Sequence, residues 1–241
     1  LSVLAWLLIW RCVHEPALAG AAPARERWGT AVRRFGALFM LPHTWGILLL
    51  GMVGYASFLA LRGLWIGPML IDRYAFTLVE SGNMALTMSL ISLFTPAFFG
   101  RIDPGPARRR AWVANFSLLV AALYLGLGLV HHATLNLALV MGIGLLSGYS
   151  VLQYSDVRSS YPPDLTGRAL AVFTMAMFLG VGLVQALTGW VANWAQSQGL
   201  EPYRAVMATI AALLALGSIA FRWLPASPLL QHPGVQGKDL A

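Results

Sequence analysis

The chain has 241 residues, of which 58% are hydrophobic and 10% charged, with a mean hydropathy of +0.69. A water-soluble domain carries about a quarter charged residues, so the apolar side chains here are expected to face lipid. The net charge of +7 does not read as a nucleic-acid surface, because the basic residues sit in short loops between long apolar runs.

Residues 1–10 are apolar but only half a span long. Arg11 lies behind them and no basic residue ahead, so they read as the end of a preceding transmembrane helix rather than a signal peptide. Residues 11–37, rich in Ala, Pro and Arg, read as a cytoplasmic linker. Its second half, "RERWGTAVRRFGALF", sets Trp28, Val32 and Phe35 at spacings of four and three, the pattern of an interfacial amphipathic helix. Residues 38–224 then hold six apolar runs: 44–71, 80–99, 111–130, 135–154, 169–190 and 203–223. Each approaches the ~20 residues that cross a hydrocarbon layer. The tail, 225–241, is more polar, has no helical pattern, and is expected to be disordered and cytoplasmic.

Lysine and arginine favour cytoplasmic loops. Thirteen of the sixteen basic residues fall on the side of the Arg108 loop, Arg73 and Arg204 fall on the other, and Arg62 is left inside the first run. The basic loops and the C-terminus are therefore expected in the cytoplasm, with the chain multi-pass in a cell inner membrane.

The first run contains "LALRGLWIGPML", residues 59–70. A guanidinium near mid-bilayer costs about 2.5–3.5 kcal/mol on insertion scales, so Arg62 either snorkels to the outer interface or faces a water-filled cavity, which is the favoured reading. Tyr55 and Arg62 are seven apart and share a helical face, with Trp65 nearly a turn further out. Gly67 and Pro68 are expected to interrupt the helix, since proline lacks a backbone N–H and crowds the preceding turn.

Other polar groups in the runs are few. Asn83, Gln185, and the pair Tyr149 and Gln153, four apart on one face, each fit either interhelical hydrogen bonding or a polar cavity wall. Gly144 and Gly148 form a small-residue step suited to close helix packing. All nine acidic residues fall at run ends or outside the runs, with Asp156 at the inner rim. No buried carboxylate is therefore expected, and a coupling acid would have to lie outside this chain. Cys12 is the one cysteine; with no paired thiols and no His-Glu-x-x-His motif, neither an enzyme nor a cofactor is expected.

In "GRIDPGPARRR", residues 100–110, glycine and proline suit a tight turn between antiparallel helices. Gly100, Asp103, Arg108 and Arg109 are the candidate conformational loop. Asp103, just past a helix end, is placed to pair with Arg108, Arg109 or a neighbouring helix terminus, or else simply to cap a turn. The arginine run itself is accounted for by topology alone.

A half-span, a basic linker and six spans resemble the C-terminal half of a major facilitator superfamily transporter. "LWIGPML" resembles the outer end of that family's seventh helix, "GRIDPGPARRR" its basic loop between the eighth and ninth, and "YPPDLTGRALAVF" the entry to its eleventh. Pro104 and Thr166 stand where basic residues are common in those loops, so no subfamily is implied. The resemblance implies an all-α integral membrane fold, a six-transmembrane-helix bundle, and an N-terminal six-helix half upstream as its partner. It also implies secondary transport of a small-molecule substrate by alternating access, with Arg62, Tyr55, Trp65, Asn83, Tyr149, Gln153 and Gln185 as the substrate wall. The solute is expected to be an organic anion if Arg62 faces the cavity. The alternative is a non-transporting multi-span subunit or signalling protein.

Overall fold

A computed structural model describes residues 28–231 together with Val3, Trp6, Trp10 and Arg11. The chain separates into two units, Leu1–Ala37 and Leu38–Ala241. In the first, Trp6 and Trp10 stack with ring centroids 6.3 Å apart. The span and linker expected over residues 1–27 otherwise lie outside the described residues. Helix α1, Trp28–Leu38, forms where the four-and-three spacing predicts it, with Trp28 and Val32 exposed.

The second unit holds six helices long and apolar enough to cross a membrane: α2 Pro42–Tyr74, α3 Leu78–Arg101, α4 Pro106–Leu129, α5 Ala133–Ser160, α6 Pro163–Ser197 and α7 Pro202–Trp223. Their starts are written locally. Proline stands in the first turn of α2, α4, α6 and α7, where its missing N–H has no intrahelical partner to lose. Helix α3 begins with a capping box: Thr77 Oγ1 accepts from the Glu80 N–H, and the Glu80 carboxylate accepts from the Thr77 N–H at 2.8 Å. Between α3 and α4, the positive φ of +81° falls on Gly105. Gly100 instead sits in the last turn of α3, with open space around it.

The helices run beyond the apolar stretches. Helix α5 continues to Ser160 and α6 to Ser197, 28 and 35 residues long, each longer than the ~20 residues that a hydrocarbon layer requires. Helix α2 packs chiefly on α6 and α7, and α7 also on α4, while α3 lies against α5. Glycine permits the closest crossings. A Cβ on Gly180 of α6 would overlap the Met52 backbone of α2, and one on Gly148 would lie 2.6 Å from Thr95 Cβ. Gly144, a turn earlier, faces Met88 of α3. The Gly144–Gly148 step is thus a packing surface. Helix α3 is the least buried of the six, leaving Leu86, Leu90, Leu93, Phe94 and Phe98 exposed. Beyond α7, Ser227 is buried and donates to the Ser160 carbonyl at 2.7 Å, and α8, Pro228–Gln231, adds one helical turn. The tail expected to lack structure from residue 225 is therefore ordered to Gln231; residues 232–241 lie outside the described residues.

Candidate substrate cavity and basic loop

Helix α2 carries the central feature. The interruption expected at Gly67 and Pro68 falls just ahead of them: residues Leu61–Trp65 form one π-helical turn, and α-helix resumes at Ile66 and runs through both. The Ile66 N–H reaches back to the Leu61 carbonyl, the i→i−5 bond that defines a π turn. Pro68 explains its place. The ring has no N–H for the Leu64 carbonyl and crowds it, and widening the preceding turn relieves both problems without ending the helix. The widened turn also shifts the register of the residues beyond it, so the face expected to carry Tyr55, Arg62 and Trp65 together is split. Arg62 is exposed and donates from Nη1 to Ser89 Oγ of α3 at 3.1 Å. Trp65 turns toward α6 and α7: its Nε1 donates to Thr188 Oγ1 at 3.1 Å, and its ring meets Tyr203 edge-on.

A cavity of about 230 Å³ opens between α2, α3, α4 and α5. Aromatic and apolar side chains make most of its wall, with Tyr55, Ser92, Ser147 and Tyr149 among the polar members. This mixture of apolar surface and a few convergent polar groups is the usual character of a small-molecule site. Tyr55 is braced by Phe178 at 5.7 Å, and the Tyr149 hydroxyl lies 2.9 Å from Ser117 Oγ. On the α3 side, Ser92 donates to the Ser89 carbonyl at 2.8 Å, so the residue that holds Arg62 is one turn from the cavity wall.

Of the residues expected in the substrate wall, Tyr55 and Tyr149 line this cavity. Gln153 is buried one turn beyond Tyr149, with both side chains close to Gly54 of α2. Asn83 is exposed near the start of α3, and Gln185 lies on α6, half-buried; with Arg62, Trp65 and Gln153, they are outside the lining. Phe58, Ser92, Tyr124 and Ser147 enter it unannounced. Serine and phenylalanine are ordinary in apolar helices, and nothing in their spacing marks them.

At the basic end, Arg109 is buried and pairs with Asp103, Nη2 to Oδ2 at 2.7 Å and Nε to Oδ1 at 2.9 Å. Its Nη1 donates to the Ser155 carbonyl and to Ser159 Oγ, near the end of α5. Asp103 also accepts from the Gly105 N–H at 3.0 Å. The Arg109 hydrogen bonds, against the opposing effect of partial burial, hold the Asp103 carboxyl below its ordinary range. Arg108 is exposed. Arg110 donates to the Phe221 carbonyl and, at 2.6 Å, to the Leu224 carbonyl, and lies 4.4 Å over the Phe221 ring. The arginine run is therefore more than a topology signal: Arg110 caps the C-terminal end of α7, where a cation suits the helix dipole, and Arg109 fastens onto the last turns of α5.

The expectation of no buried carboxylate is overturned by Asp156, which is 1% exposed. It sits at the run's edge in sequence, but α5 extends past that edge and carries the side chain beneath α2 and α7. At the opposite end, Arg73 pairs with Glu201 and donates to the Leu127 carbonyl at 3.0 Å, while His131 meets Glu201 at 3.1 Å. Tyr203 donates to Asp72. These contacts tie the ends of α2, α4 and α7 together.

Six helices long and apolar enough to cross a membrane, packed in this arrangement, define an all-α multi-pass membrane fold. The fold is similar to that of a solved bacterial homologue of the human lysosomal transporter Spinster, in an inward-facing and unoccupied conformation, with a TM-score of 0.56 at 18% identity. The match covers 93% of this chain and 58% of that one, so this chain spans little more than half the length of that protein. No family model and no curated protein matches the sequence.

Proposed function

We propose that this chain is the C-terminal six-helix half of a secondary transporter. It moves a small organic anion by alternating access, with an N-terminal six-helix half completing the site. The observation that carries the reading is Arg62, a permanent cation inside an apolar helix, held by Ser89 one turn from a cavity of about 230 Å³. A cation exposed on an apolar helix and held by a neutral hydroxyl is in keeping with a surface that faces water or an anion rather than acyl chains. A π turn in the same segment is in keeping with irregular backbone beside a transport site.

The excess of basic residues on one side supports an inner-membrane protein with the basic loops and C-terminus in the cytoplasm. The Asp103–Arg109 pair binds the α3–α4 turn to the end of α5, and the Arg73–Glu201 clamp does the same at the other end. Such pins suit six helices that move as one body.

The deciding experiment is uptake of a panel of carboxylates by the full-length protein in vesicles, beside Arg62→Ala. Loss of uptake with normal insertion supports the anion role. Unchanged carboxylate uptake in the variant overturns it, and absence of uptake for any solute tested overturns transport.

A further inference from the structure

Among the described residues, four of the six buried side-chain nitrogen and oxygen atoms without a hydrogen-bond partner belong to Gln153 and Asp156. Both are almost wholly buried, at 5% and 1% exposure. They are three apart on α5, hence on one face, and with Ile47 and Leu50 of α2 and Phe221 of α7 they line a cavity of about 10 Å³. That is room for one water molecule, and the two side chains supply its polar partners.

An ionised carboxylate in such a place needs a cation or several donors. The charged and titratable groups around it are Arg109 and Arg110 from α4, Asp103 from the α3–α4 turn, and Tyr161 just after α5. From α2 comes His43, whose ring packs 5.1 Å from Tyr161; from α7 comes the Phe221 ring. Tyr161 is occupied by Thr44 at 2.7 Å. Arg109 is committed to Asp103, the Ser155 carbonyl and Ser159, and Arg110 to the carbonyls of Phe221 and Leu224. None of them makes a hydrogen bond to Asp156. A bound proton removes the cost of burying a carboxylate that none of these side chains hydrogen-bonds.

We propose that Asp156 is a proton-binding site: its carboxyl carries a proton and shares one water with Gln153 in this cavity. The proton enters from the water phase at the basic end and returns to it, with no other bond made or broken. Its release leaves a carboxylate that attracts Arg110. That guanidinium caps the C-terminal carbonyls of α7 and rests on Phe221, whose ring also walls the cavity. Proton binding at Asp156 thereby sets how firmly Arg110 holds the end of α7.

The test is an infrared pH titration of the full-length protein in vesicles, following the carbonyl stretch of protonated carboxyl groups. As the pH is lowered from neutral, the wild type is expected to gain a band that Asp156→Asn lacks and that Asp156→Glu shifts. A spectrum unchanged by either substitution overturns the proposal. Should Asp156→Asn fail to fold, the glutamate variant alone decides, because it keeps the carboxyl and moves it.

Discussion

Arg109 grips both oxygens of Asp103 with its Nε and Nη2 while its Nη1 holds the end of α5. The guanidinium is buried and its partner is mostly shielded. Asp103→Asn leaves that cation without a counter-charge, and a loss of about 1.5–3 kcal/mol is expected, the range for hydrogen bonds to charged groups. Arg108→Ala, at an exposed neighbour, is expected to change stability by less than about 0.5 kcal/mol. Thermal melts of the purified variants check both. A melting temperature for Asp103→Asn equal to that of Arg108→Ala would show that the pair does not stabilise the fold.

Two carboxyls outside the spans give a pH dependence with a fixed sign. Asp103 is held below its ordinary value by Arg109. At Glu201, partial burial pushes upward, but hydrogen bonds from Arg73 and His131 outweigh it and the net direction is down. A carboxyl lowered on folding adds stability that is fully present above its unfolded value and lost as pH falls through the folded one. Acidification from neutral to below pH ~4 is therefore expected to lower the melting temperature, and Glu201→Gln to flatten that slope. At neutral pH the same variant leaves the buried Arg73 guanidinium short of its anion, at a cost of about 1–3 kcal/mol.

Glycine spacing on α6 makes a paired comparison. Gly180→Ala drives a Cβ into the Met52 backbone, which cannot yield as a flexible side chain does. Overpacking of this kind costs about 1–3 kcal/mol. Gly189 has open space around it, so Gly189→Ala is expected to be neutral or mildly stabilising. Melts of the two variants in one detergent separate close packing from helix propensity.

In the transport reading, Ser89 orients Arg62. Ser89→Ala is expected to raise KM for an anionic solute several-fold with little change in kcat, the pattern of a lost binding contact. Arg62→Ala is expected to reduce uptake at least tenfold. Initial rates over a range of solute concentration distinguish the two.

Sequence alone determined the spans, because twenty apolar residues in a row have one low-energy solution in a bilayer and the turns carry proline, glycine and a Thr-x-x-Glu box. It also marked Arg62, Asp103 and the Gly144–Gly148 step, each a residue whose chemistry is out of place in its surroundings. Tertiary structure alone decided which faces meet. The π turn ahead of Pro68 parts Trp65 from Arg62, a register change invisible to a count by 3.6. Asp156 is buried because α5 outruns its apolar stretch and meets α2 and α7, and Arg109 and Arg110 fasten onto helix ends far away in the chain. Hydropathy is a property of each segment by itself, whereas burial of a charge depends on which neighbours arrive to cover it.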